Sequence, residues 1–214
     1  MNLTKEKHLR TMLLTSILCL VLFIIMYLLT THANEDFFRN FMKIHFGYSN
    51  RYNSFGPEWL IYITWDLGAL AGQVVFVLVV GFVLSFLFVM REQKTLFEFL
   101  FTILGAIILL FILRFTFNAN STGNVFAVLS SNSSGFPSGH AIISLVLYSA
   151  LAKYSGRKLT NKNARYVIYI FTAILIFLIG VARLFTSHNP PEVISGWCAG
   201  IIWLSIVNYI FRNK

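Results

Sequence analysis

The sequence predicts an all-α membrane protein, with six spanning helices packed in one bundle. Two observations carry most of that reading. Of 214 residues, 57% are hydrophobic and only 12% are charged, whereas a soluble domain is roughly 45–50% apolar and about 25% charged. The apolar residues also gather into runs near the length of about 20 that crosses a bilayer. A third observation, a net charge of +9, would suit nucleic acid in a soluble protein. Here it fits the excess of Lys and Arg in the cytoplasmic loops of membrane proteins. Soluble enzymes, disordered tails and nucleic-acid modules are therefore set aside.

The expected spans, in order, are Thr11–Thr30, Leu67–Met90, Thr95–Phe115, Pro137–Ala152, Tyr166–Phe185 and Pro191–Phe211. The first is too long for a signal-peptide core, and no small-residue cleavage site follows it. The fourth is short for a full span. Segment 31–58 is expected to be an outer loop in which Glu35–Phe46 forms an amphipathic helix at the interface. Segment 117–136, rich in Asn, Ser and Gly, is expected to be a flexible loop. It carries a sequon at Asn120 and another at Asn132. Cys19 and Cys198 lie in apolar runs and read as small hydrophobes rather than a disulfide. The whole chain, 1–214, is expected to be one domain.

Basic residues set the expected orientation. Twelve of the 17 Lys and Arg fall on one set of faces, among them Lys5, Arg91, Lys153 and Arg212; the other five are Arg39, Lys43, Arg51, Arg114 and Arg183. The positive-inside rule then puts both termini in the cytoplasm.

Ionisable residues at membrane depth are costly and usually have a role. They are Asp66, Glu98, Arg114, His140, Arg183, His188 and Glu192. All but Glu98 should lie near the outer helix ends; Glu98 should lie near Lys94 at the inner end. Phe136-Pro-Ser-Gly-His140 reads as a helix start. Pro137 needs no amide partner there, and the amides of Ser138 and Gly139 could hold an anion. The plainer alternative is a capped helix whose His140 faces water. In Arg183-Leu-Phe-Thr-Ser-His188-Asn-Pro-Pro-Glu192, Glu192 can reach the His188 imidazole. A carboxylate on one ring nitrogen leaves the other free as nucleophile or base. The alternative there is a snorkelling Arg, an exposed His and a capping Glu.

Together these stretches resemble the type 2 phosphatidic acid phosphatase superfamily of membrane lipid phosphatases and phosphotransferases. Pro137-Ser138-Gly139-His140 matches its second motif in full. The third motif, Ser-Arg, five residues, His, three residues, Asp, has its counterpart in Ala182-Arg183, four residues, His188, three residues, Glu192. The two histidines are 48 positions apart, which suits the family. The Asp66-Leu-Gly-Ala-Leu-Ala-Gly stretch resembles a recurring start of the family's second helix. The resemblance covers about residues 60–211. The first motif, Lys, six residues, Arg-Pro, is altered: Arg114 stands for the Lys, and Ser121-Thr122 for the Arg-Pro. Arg39, Lys43 or Arg51 are candidates to replace the missing cation.

The resemblance implies an active site on the extracytoplasmic face of a bacterial cytoplasmic membrane. It implies that His188 attacks phosphorus, Glu192 orients it and His140 protonates the leaving group. Arg114, Arg183, Ser138 and Gly139 would hold phosphate. No cofactor or metal is expected, since the chain lacks the carboxylate cluster of a two-metal phosphatase. The expected partner is a membrane lipid phosphate or pyrophosphate in the bilayer, of the phosphatidic acid, phosphatidylglycerophosphate, undecaprenyl pyrophosphate or lipid A class. The alternatives are a lipid-to-lipid phosphotransferase, an inactive lipid-binding relative and a small transporter.

Overall fold

A computed structural model describes residues 3–32, 35–117, 135–186 and 188–212. Its helices are α1 (Leu3–His32), α2 (Glu35–Phe46), α3 (Glu58–Ala69), α4 (Gln73–Val89), α5 (Gln93–Phe117), α6 (Gly139–Lys158), α7 (Lys162–Leu184) and α8 (Pro190–Ile210). A two-stranded antiparallel hairpin, β1 (Tyr48–Ser49) and β2 (Ser54–Phe55), lies between α2 and α3. The expected loop 117–136 and its sequons fall almost wholly outside the described residues.

Among the described residues, five stretches are long and apolar enough to cross a membrane: 9–31, 58–89, 93–117, 162–184 and 190–210. With its broad lipid-suited surface, the chain is an integral membrane protein. Phe82, Phe88 and Val89 on α4 are all largely exposed, and Leu87 is the helix's one buried residue. In water such a surface would aggregate; in lipid it is the solvent-facing side.

The expected fourth span is the 20-residue α6, long enough but less apolar than the others. The reason is its position. It packs against α5, α7 and α8 and buries Ile142, Ser144, Leu145, Val146 and Leu147. A helix wrapped by protein can carry small and polar residues that a lipid-facing helix cannot. α8 lies between α6 and α1, and α3 packs on α7.

The expected second span needs correcting. Helix begins at Glu58 rather than near Leu67, and the ladder breaks at Leu70–Gly72, where Gly72 N–H bonds to the Ala69 carbonyl at 2.9 Å. The Asp66-Leu-Gly-Ala-Leu-Ala-Gly stretch therefore closes one helix instead of opening another.

Close packing fixes the bundle. A Cβ added to Gly105 would sit 1.9 Å from the Trp203 indole, and one on Gly180 would sit 2.1 Å from that of Trp197. Both ring systems thus lie in grooves that only glycine leaves open. Above them, Phe23, Tyr27, Phe117 and Phe136 form an aromatic cluster, with Phe23 and Phe136 centroids 5.2 Å apart. It anchors the residue just before Pro137.

Candidate active site

The site is assembled from four helix ends. Arg114 lies in the last turn of α5 and Arg183 in the last turn of α7. Ser138 caps α6, with Gly139 and His140 in its first turn. His188 occupies the turn before α8, and Glu192 stands three residues after the Asn189 cap. All the ionisable members are buried, Arg114, His140 and Glu192 at 6%, Arg183 at 8% and His188 at 3% exposure. Charged groups are rarely buried this deeply without partners.

The local chain explains the His188–Glu192 pair. Pro190 and Pro191 open α8, where no amide hydrogen is required. Glu192 then stands where a capping-box acid belongs. Its Oε2 accepts from the Asn189 amide at 3.3 Å and from His188 Nδ1 at 2.5 Å. His188 N–H donates to the Arg183 carbonyl at 3.1 Å. Glu rather than Asp suits this place, because the longer side chain must reach back over the helix start. α7 ends at Leu184 and α8 begins at Pro190, so the shortened third motif crosses a junction between helices rather than an unbroken helix.

With Nδ1–H given to Glu192, His188 keeps a lone pair on Nε2. That atom is buried and has no hydrogen-bond partner among the described residues. Burial pushes the imidazole below its ordinary value; the bond and charge of Glu192 oppose this, and Arg183 and Arg114 reinforce it. The ring is neutral at neutral pH.

Other charged and titratable groups lie within electrostatic range of this histidine. His140 is within electrostatic range of Arg183, His188 and Arg114. The Arg114 guanidinium lies over the α6 start, 3.2 Å from where a Gly139 Cβ would be, and Arg183 Nη1 is 3.5 Å from the same point on Gly68. Glu192 is the one buried carboxylate among the described residues. Two arginines and this one acid therefore gather at the N-termini of α6 and α8, where helix ends favour an oxyanion.

Two expectations change. The Ser138 amide is not available to an anion, because it donates to the Glu192 carbonyl at 2.9 Å; its buried hydroxyl has no partner among the described residues. Asp66 is exposed on α3 and stays apart from the buried cluster. Glu98 lies at the opposite end of the bundle, where it pairs with Lys153 and Arg157.

A pocket of about 510 Å³ opens onto His140 and Arg183. Tyr52, Asn53, Trp65 and Thr186 line it, and sequence reasoning passed over all four. The hairpin brings the first two in. Gly47 and Gly56 bracket it with φ of +75° and +102°, backbone that glycine adopts without strain. The Phe55 amide then ties it to the Phe185 carbonyl at 2.8 Å. Those two glycines were the available signal. Among the residues lining the pocket there is no Arg39, Lys43 or Arg51; Arg51 instead lies over the Tyr52 ring. No group of three or more His, Cys, Asp or Glu converges to hold a metal ion among the described residues.

The family model described as PAP2 superfamily matches residues 95–214. No curated protein sequence matches the chain. A similar fold is found in the crystal structure of a transmembrane PAP2-type phosphatidylglycerolphosphate phosphatase from Bacillus subtilis. The likeness has a TM-score of 0.71 at 15% identity, over 93% of this chain and 96% of that one.

Proposed function

The chain belongs to the PAP2 superfamily, and we propose from this premise that it hydrolyses a phosphate or pyrophosphate ester of a membrane lipid through a phospho-histidine on His188. The observation that carries the proposal is the buried pair of His188 Nδ1 and Glu192 Oε2 at 2.5 Å. It orients a neutral imidazole that lies within electrostatic range of two arginines and a second histidine.

In the first step, Nε2 attacks phosphorus and the bond to the leaving alkoxide breaks. His140 acts as the acid of this step and gives a proton to that oxygen. In the second step, His140 takes a proton from water as the water oxygen attacks phosphorus. The N–P bond breaks, inorganic phosphate leaves, and the His188 lone pair is restored. Arg114, Arg183 and the Gly139 amide stabilise the equatorial oxygens; such charge stabilisation and positioning are most of phosphoryl-transfer catalysis. Glu192 holds the tautomer and offsets the positive charge on phosphorylated His188. No metal enters either step.

The substrate class follows from where the pocket lies. Exposed Trp59, Tyr62 and Trp65 on α3 suit the headgroup level of a bilayer, where aromatic side chains gather. A headgroup can enter the pocket while its chains remain in lipid. In this reading α6, fourth in chain order, brings the spans to six, both termini are cytoplasmic, α2 lies in the interface, and the site faces outward from a bacterial cytoplasmic membrane.

The test is phosphate release by purified protein from a panel of lipid phosphates, with EDTA present, beside His188→Ala. Release that survives EDTA and vanishes in the variant supports the proposal. Release that continues in His188→Ala would overturn the assignment of the nucleophile.

A further inference from the structure

At the end of the bundle away from the histidines lies a second cavity of about 460 Å³. Glu98 and Arg114 stand 16 residues apart on α5, about 24 Å at 1.5 Å per residue, so this cavity is separate from the catalytic one. Three cations, Lys153, Arg157 and Arg212, line it against a single carboxylate, Glu98.

The cations are held in place. Glu98 Oε1 accepts from Lys153 Nζ at 2.6 Å, and Arg157 forks onto both Glu98 oxygens at 2.7 and 3.1 Å. Lys153 also donates to Asn208 Oδ1 at 2.5 Å. These bonds use two of the three Lys153 donors and two of the five on Arg157. Both side chains remain partly exposed, at 34% and 47%. The remaining walls are largely apolar, including Met12, Phe99, Leu204 and Phe211. A polar, cation-rich mouth on an apolar wall matches a phosphate group attached to hydrocarbon. Basic pockets between helix ends are a known form of anionic headgroup site.

We propose that this cavity binds the phosphate of an anionic molecule, joining α5, α6 and α8 at the end opposite the catalytic site. The shared chemistry is a phosphate with at least one negative charge. Its source is either a lipid of the adjoining leaflet or a soluble phosphomonoester.

Crosslinking of the full chain in phosphatidylcholine nanodiscs, using a photoactivatable phosphatidylglycerol, tests this. Peptide mapping separates label at the α5 start and α8 end from label near Arg114 and Arg183. The expected result is labelling of the former that weakens about fivefold for each cation removed, in Arg157→Gln and Arg212→Gln, the worth of roughly 1 kcal/mol per cation. Label at the catalytic end should not change. Should Arg157→Gln fail to fold, Arg212→Gln alone carries the test, since it leaves the Glu98 pairs intact. Displacement by millimolar glycerol 3-phosphate would support the cavity with a soluble ligand, and resistance to it would support it with a lipid. Equal labelling by a zwitterionic phosphatidylcholine probe, or labelling unmoved by the variants, would overturn the proposal.

Discussion

His188 and Glu192 share one hydrogen bond, Nδ1 to Oε2 at 2.5 Å, buried in the turn where α7 gives way to α8. The same carboxylate oxygen caps the helix through the Asn189 amide. One side chain therefore orients the imidazole and starts α8.

Glu192→Gln should lower kcat by roughly 10³-fold or more, as loss of a His-orienting carboxylate does elsewhere. The amide can still cap Asn189, so the protein should fold. Steady-state kinetics beside a thermal melt would separate the two effects. A fall in kcat below tenfold would remove Glu192 from the orienting role.

The pH profile follows from burial. Only the neutral His188 can attack, and burial holds its pKa below the ordinary value. Activity should thus persist below about pH 6.5, the unperturbed histidine value. Glu192 raises this pKa, so Glu192→Gln should move the acid limb lower still. The stability sign is set by the unfolded chain, which binds the proton more readily. The contribution of a buried neutral His188 is therefore complete above about pH 6.5 and declines as pH falls below it. Residual kcat across pH and a melt series would check both.

Gly139→Ala should cost activity before stability. The new Cβ would stand 3.2 Å from Arg114 Nη2 and 3.3 Å from Leu110 Cδ2. Moving a phosphate ligand by a fraction of an ångström should raise KM and lower kcat, by about 10- to 100-fold together. Unchanged kcat/KM would separate Arg114 from the phosphate.

Gly196→Ala should damage the fold itself. Its Cβ would lie 2.7 Å from the Ser138 carbonyl and 2.8 Å from Ala141 Cβ. Backbone cannot yield as a side-chain tip can, so α8 must move off the α6 start, at about 1–3 kcal/mol. A lowered melting temperature with reduced turnover is expected.

Tyr52 and Trp65 line the pocket outside the buried cluster, with their rings 5.4 Å apart. Trp65→Ala should change KM several-fold among lipids of different headgroup while leaving kcat on a small activated aryl phosphate within about twofold. An equal loss on both substrates would assign Trp65 to the fold.

The sequence by itself determined that several long helices cross a membrane, because hydrocarbon demands long apolar runs that composition displays directly; where the second begins and how α6 sits among the others came from the packed structure. It also determined the His188–Glu192 pair and the helix start at His140, since capping chemistry acts over four residues. Tertiary structure decided the rest. Arg114 and Arg183 meet the histidines only because α5, α6, α7 and α8 pack together, and nothing local encodes that meeting. The Ser138 amide was spent on Glu192 across two helices, which one-dimensional reading cannot see. Glu98 found Lys153 and Arg157, more than fifty residues away. The hairpin reached the pocket through one backbone bond to Phe185. Local signals record what a residue can do with its near neighbours; these partners were chosen by the burial of polar groups that had to be paired.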